Sequence, residues 1–248
     1  MNRRTILAAT LAAPALLAAR HARAAAEPVD VELVLAVDVS RSVDAEEQEL
    51  QFRGYEAAFR DSRLIEGIAG GPIGCIACTL FTWSDWHVQT TLVPWTRLDG
   101  ARSCHGFADA LAAAPRQTHL YTSISGAIDH AAGRFGERFE GMRRVVDISG
   151  DGVNNSGRPV AEARQDALGR GIVLNGLAVL DRTPSQLSLA GIVPPLDDYY
   201  REEVIGGPGS FLVVAEGFTA FESAVRRKII REIALAPSPG PLVERVFA

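Results

Sequence analysis

Residues 31–42 read Val31-Glu-Leu-Val-Leu-Ala-Val37-Asp38-Val-Ser40-Arg-Ser42. The run from Val31 to Val37 is apolar and rich in β-branched and leucine side chains, the character of a parallel strand buried on both faces. It stops at Asp38. Beyond it stand a carboxylate and two hydroxyls on alternate residues of a loop, the pattern Asp-x-Ser-x-Ser. In open α/β sheets, ligands bind beyond the carboxyl ends of strands, so these residues stand where chemistry is expected.

The flanking segments fit the same architecture. Asp44-Ala-Glu-Glu47 is an acidic first turn suited to a helix N-terminus, and Phe52, Tyr55 and Phe59 give that helix an apolar face. Pro72 to Val93 predicts two strands, with Ser84-Asp85 as a hairpin turn between Trp83 and Trp86. A helix is expected over Ser103–Ala114 and another opening at Thr122, with Ile124, Ala127, Ile128, Ala131 and Phe135 on one stripe. Val145 to Ile148 predicts a strand that runs into Ser149-Gly-Asp-Gly152. Pro159 suits the first position of a helix ending near Gly169 or Gly171. Strands follow at Ile172–Leu180 and Ser210–Ala215. Thr219-Ala-Phe-Glu222 has the form of a capping box for a last helix striped by Phe221, Val225, Ile229 and Ile233. The order β-α-β-β-α-α-β-α-β-β-α predicts an α/β sandwich: a mostly parallel sheet, one hairpin, and helices on both faces. One domain is expected over residues 30–235, followed by a Pro-rich tail at 236–248 beginning around Pro237-Ser-Pro-Gly-Pro241.

Composition agrees with a globular chain: 248 residues, 47% hydrophobic and 22% charged, which excludes a disordered chain and a polytopic membrane protein. Residues 1–26 read as a bacterial-type secretory signal. Arg3-Arg4 precedes an Ala/Leu-rich stretch from Ile6 to Ala19 that is short for a membrane span, and small residues follow at Ala22–Ala26. The arginine pair also resembles a twin-arginine signal, with Asn2 in place of the usual Ser or Thr, so both export routes stay open. The mature chain is then expected to start near Ala25 or Glu27 and to be periplasmic or secreted, with no stable membrane insertion. The signal holds four Arg and no acid. Its removal leaves 21 of 25 basic residues against 30 acidic ones, a net charge near −9 that disfavours nucleic acid as a partner. Lys228 is the single lysine. Cys75 and Cys78 fall three apart in a strand run, so they point to opposite faces and cannot share a metal. They read as small buried thiols; a bridge from Cys104 to either stays open.

The constellation past Asp38 gains two further segments. Asp151 sits between Gly150 and Gly152 beyond the Val145 strand, and Thr122 stands at a helix start. Asp38, Ser40, Ser42, Thr122 and Asp151 offer five hard oxygens with only two carboxylates, a set that suits Mg²⁺ or Mn²⁺ better than Ca²⁺. In order and position these segments resemble the metal-ion-dependent adhesion site of von Willebrand factor type A (vWA) domains. The resemblance spans residues 31–233. It implies a Rossmann-like sandwich with one antiparallel edge strand. It also implies metal contact through the hydroxyls of Ser40, Ser42 and Thr122, with Asp38 and Asp151 acting largely through water. An acidic side chain of a protein partner would complete the coordination. One departure is Gly150, where many vWA domains carry Thr. More narrowly, Tyr199-Tyr-Arg-Glu-Glu-Val-Ile-Gly-Gly-Pro-Gly209, Phe211-Leu-Val-Val214 and Arg227-Lys-Ile-Ile-Arg-Glu232 resemble a bacterial family of exported vWA-like proteins of unknown function.

Two function classes follow. A metal-dependent protein-binding module needs only the oxygen site and a surrounding surface. A Mg²⁺- or Mn²⁺-dependent hydrolase would also need a base, for which His119 and His105 are the candidates. The sequence identifies no nucleophile–base pair, so the binding module is the expectation. Trp83 and Trp95 read as packing residues, and Trp86 is open. Tyr199-Tyr200 reads either as a binding edge or as part of an acidic helix end. Asp147, inside a strand run, has a conceivable supporting role near Asp151.

Overall fold

A computed structural model describes residues 26–180, 194–234 and 242–247. Residues 1–25, where a secretory signal is expected, the segment 181–193 and the Pro237–Pro241 stretch lie outside the described residues.

The apolar run around Val31 lies in β1 (Glu27–Asp38), in the middle of a seven-stranded sheet of order β3-β2-β1-β4-β5-β6-β7. The other strands are β2 (Ile76–Trp83), β3 (Gln89–Leu98), β4 (Phe139–Gly150), β5 (Ile172–Val179), β6 (Phe211–Ala215) and β7 (Leu242–Val246). All neighbouring pairs are parallel except β2–β3. The chain builds outward from β1 through β2 to the edge at β3, then returns to β4 on the other side of β1. Strand order therefore reverses between β1 and β4, and their carboxyl ends, Asp38 and Gly150, flank the crevice created there.

Helices cover both faces because β1 is apolar on both. Val31, Leu33, Leu35 and Val37 face a core shared with Phe52, Tyr55 and Phe59 of α1 (Ala45–Arg60) and Leu64 and Ile68 of α2 (Ser62–Ala69). Phe107 and Leu111 of α3 (Ala101–Ala112) and Phe221, Val225 and Ile229 of α7 (Phe221–Ala234) complete that layer. Val34 and Ala36 face the opposite core. There they meet Ile124, Ala127, Ile128 and Ala131 of α4 (Ile124–Gly133) and Val160 and Ala163 of α5 (Val160–Gly169). Tyr200 and Val204 also belong to this side, from a π-helical turn (Tyr200–Val204) that continues α6 (Leu196–Tyr199). Layers on each side of a mostly parallel sheet are the expected sandwich.

Local signals set several boundaries. Asp44 caps α1: its carboxylate accepts from the Glu47 amide at 2.9 Å, and its own amide donates to the Glu47 carboxylate at 2.9 Å. Gly54 lets α7 approach, since a Cβ there would stand 3.0 Å from Glu222 Cα. Other boundaries differ from the sequence reading. Ser123, rather than Thr122, caps α4 by accepting from the Gly126 amide, which leaves the Thr122 hydroxyl for other use. Pro159 is the cap residue of α5 rather than its first helical residue. Thr219 lies in a 3₁₀ turn (Phe218–Ala220), and α7 starts after it. Helix α2, capped by Asp61 accepting from the Arg63 amide at 2.9 Å, was not anticipated. The tail reading of 236–248 is corrected at its end: Leu242–Val246 pairs with β6 and extends the sheet.

Cys75 and Cys78 contribute to opposite cores, as the strand period requires, and Cys104 joins Cys78; all three are buried free thiols.

Candidate metal centre

Asp38 ends β1 fully buried. Its Oδ1 accepts from the Ser40 amide at 2.7 Å, which bends the loop back toward the strand end. Its Oδ2 has no hydrogen-bond partner. Two residues further on, the Ser40 and Ser42 hydroxyls lie 3.1 Å apart, and the Ser42 hydroxyl donates to Asp151 Oδ1 at 2.7 Å. Ser42 has one hydrogen and gives it to Asp151, so in the serine pair Ser40 is the donor. Asp38, Ser40, Ser42 and Asp151 thus stand together across the β1–β4 crevice.

Thr122 is held from the other side. Its amide donates to Asn155 Oδ1 at 2.9 Å, and the Asn155 amide donates to the Thr122 carbonyl at 2.8 Å. Its buried side chain faces the Asp151 loop: a Cβ at Gly152 would lie 3.6 Å from Thr122 Oγ1. The 118–123 segment is also fixed on both flanks. The His119 amide donates to the Val39 carbonyl at 3.0 Å, and the Ser123 amide donates to the Ser84 carbonyl at 2.6 Å. The five sequence-selected residues therefore share one end of the sheet.

Electrostatics explain what such an arrangement needs. Burial raises the Asp38 carboxyl well above the usual carboxylate range, and the nearby Asp151 charge raises it further; hydrogen bonding from Ser40 and from the Asp151 backbone only partly opposes this. A buried carboxylate with one unpartnered oxygen beside a second carboxylate calls for positive charge. The donor set is all oxygen, with three hydroxyls and two acids, and so fits a small hard divalent ion. Among the described residues there is no grouping of three His, Cys, Asp or Glu side chains that could hold a metal.

Other candidates fall as follows. Trp83 and Trp95 are buried packing residues, while Trp86 is 62% exposed in the β2–β3 connection, and Leu120 and Tyr121 are exposed just before Thr122. His119 is half-buried on the fixed 118–123 segment, and His105 is exposed on α3. Asp147 points to the opposite face of β4 and pairs with buried Lys228 of α7.

Sequence reasoning did not place Tyr200 here. Its ring is fully buried, its hydroxyl has no hydrogen-bond partner, and it approaches Gly150. Burial, followed by the Asp38 and Asp151 charges, pushes the phenol well above its usual range, so it keeps its proton. The Tyr-Tyr pair was visible in the sequence; its delivery to the site depends on the crossover before β6.

Solved structures share the fold at low identity. Proximal thread matrix protein 1 from the mussel byssus, with a zinc-occupied MIDAS motif, aligns with a TM-score of 0.58 and 13% identity over 84% of this chain and 49% of that one. The pilus adhesin SpaC from Lactobacillus rhamnosus GG gives 0.57 and 14% over 84% and 31%. A von Willebrand factor type A protein from Catenulispora acidiphila gives 0.55 and 13% over 83% and 43%. The chain spans about half or less of the length of these proteins. No curated protein sequence matches it. These likenesses establish the vWA fold. Residues 28–237 match the model of the family described as "Protein of unknown function (DUF1194)", and through that match over most of its length the chain belongs to this family.

Proposed function

We propose that this domain is an exported, divalent-metal-dependent protein-binding module. The observation that carries the reading is Asp38, buried at the strand-order switch point with one carboxylate oxygen unpartnered and a second carboxylate beside it. Asp38, Ser40, Ser42, Thr122 and Asp151 would hold Mg²⁺ or Mn²⁺. Two carboxylates only balance a divalent charge, so the bound ion would remain an electrophile with a position open to a carboxylate of a partner. The surface around the site suits a protein. Arg41 is exposed between the two serines, and the apolar side chains of Leu120, Tyr121 and Trp86 are exposed on two segments that Ser84 ties together, its hydroxyl donating to the Tyr121 carbonyl. An acidic segment of a partner carrying an adjacent apolar side chain matches both features.

Export rests on residues 1–26. Cleavage near Ala25 or Glu27 would leave β1 intact, because its first paired residue is Glu27. No helix among the described residues is long and apolar enough to cross a membrane.

The test is affinity capture from a periplasmic extract with Mg²⁺ and again with EDTA. A partner should be retained with Mg²⁺, released by EDTA, and missed by Asp38→Ala. Moderate salt should release less than EDTA, because a direct metal–carboxylate contact is poorly screened. Capture indifferent to both EDTA and Asp38→Ala would overturn the reading. Mn²⁺-dependent turnover of a phosphoester or peptide that is lost in His119→Ala would replace it with the hydrolase.

A further inference from the structure

We infer that Tyr200 is a positioning residue of this site, its hydroxyl reaching Asp38 Oδ2 through one bridging water and fixing the carboxylate for its cation. The inference rests on the metal reading above for its cation half only.

Two buried oxygens without partners converge on one point. A Cβ built on Gly150 would stand 2.7 Å from the Tyr200 hydroxyl and 2.9 Å from Asp38 Oδ2. The two atoms are therefore no further apart than the sum of those distances, a gap that a single bridging water spans, and they make no direct hydrogen bond with each other. Both residues are fully buried, and neither oxygen has a hydrogen-bond partner. A buried phenol with no partner is costly, and so is a buried carboxylate oxygen; each supplies what the other lacks, since the phenol has one hydrogen to donate.

The backbone makes room for this arrangement. The ring lies over two glycines on neighbouring strands. A Cβ at Gly150 of β4 would strike the hydroxyl, and a Cβ at Gly176 of β5 would lie 3.1 Å from Tyr200 Cδ1. No side chain at residue 150 could coexist with the phenol where it stands. Gly150 and Tyr200 are thus a matched pair. Tyr199 adds a second tie from the same turn, its hydroxyl accepting from the Asn154 amide at 3.3 Å in the loop after Asp151. An oxygen of a carboxylate accepts on more than one side, so Tyr200 and a cation do not compete for Oδ2. Tyr200 would hold Asp38 from behind while the open side faces Ser40 and Asp151.

The experiment is NMR of protein labelled at the tyrosine ring Cζ carbon, with the four tyrosine signals assigned by single Tyr→Phe variants. Without metal, Asp38→Asn should shift the Tyr200 signal and leave those of Tyr55 and Tyr121 in place. Mg²⁺ should shift the same signal in the wild-type chain. Tyr200→Phe should weaken Mg²⁺ binding roughly tenfold, the scale of one hydrogen bond to a charged group. If Tyr200→Phe does not fold, the metal-free Asp38→Asn comparison decides, because a methyl at Gly150 would strike Asp38 Oδ2 as well as the hydroxyl. A Tyr200 signal indifferent to Asp38→Asn overturns the inference, as does unchanged Mg²⁺ affinity in a folded Tyr200→Phe. If the wild-type chain binds no Mg²⁺, the metal reading fails, and the metal-free Asp38→Asn comparison alone decides the Tyr200–Asp38 link.

Discussion

Asp38 is where residue chemistry and fold meet. The sequence marks it by its place at the end of an apolar run, with hydroxyls two and four residues later. Those hydroxyls differ in consequence: Ser40 is buried, whereas Ser42 is exposed and donates to Asp151. Asp38→Ala and Asp151→Ala should each reduce Mg²⁺ or Mn²⁺ affinity by at least about tenfold in calorimetric titration. Asp44→Ala should bind normally but lose about 1 kcal/mol in urea unfolding, since the Asp44 carboxylate is engaged in capping α1. Equal binding in all three variants would place the ion elsewhere. The ligand-type residues were legible because each stands just past a locally recognisable element. Tyr200 was not, because nothing near it in the chain refers to Asp38; a phenol in an acidic helical stretch looks the same whether it faces solvent or a carboxylate.

At the scale of elements, α7 is the helix with the most unusual fastening. Its Lys228, the only lysine of the chain, is buried against Asp147 of β4 and lies 3.4 Å from Glu232 one turn on. Asn175 of β5 donates to both Glu232 oxygens at 2.8 and 2.9 Å, and its own carbonyl oxygen accepts the Phe211 amide at 2.8 Å. Burial is the main influence raising both acids, with Lys228 opposing it. Lys228→Met would leave two buried carboxyls without their cation and should cost roughly 3–5 kcal/mol in urea unfolding at neutral pH. The deficit should shrink as pH falls through the ordinary carboxylate range, because protonated carboxyls need no counter-charge. A surface-like loss below about 0.5 kcal/mol at pH 7 would refute the triad. Asp147 looked odd in the sequence for a sound reason: an acid inside a strand run has to be answered from another element, and its answer lies 81 positions along the chain on α7. Helix α2 and strand β7 escaped notice for different reasons. The α2 segment buries only Leu64 and Ile68, too few for a stripe. Along Leu242–Val246 only Val246 is buried, so the strand is made by pairing with β6 rather than by a pattern of its own.

The whole molecule couples its site to its stability. An acid whose folded-state value is raised holds its proton in the folded chain while the unfolded chain loses it. Stability without metal should therefore fall as pH rises from 3.8, the ordinary value for Asp38, toward its higher folded value. A bound cation reverses the preference by favouring the ionised form. Mg²⁺ at about 100 times its dissociation constant should raise the melting temperature by about 5–10 °C at pH 7.5. The gain should be smaller at pH 5, where protons compete for Asp38, and absent in Asp38→Ala. A Mg²⁺ effect of the same size at both pH values would show that Asp38 is not the linked group. By itself, the sequence determined the sandwich class, the antiparallel β2–β3 hairpin and the strand-end positions of Asp38 and Asp151. Those are written in local periodicity and turn chemistry, which act over a few residues. Only the tertiary structure decided that β4 lies beside β1, which brings Ser42 to Asp151 across 109 residues. It likewise decided that Lys228 is buried, that β7 closes on β6, and that Tyr200 faces Gly150. Parallel neighbours and buried charge partners are joined through long crossovers, and the pairing is chosen by the packing of both faces of the sheet at once, which no single stretch of the chain encodes.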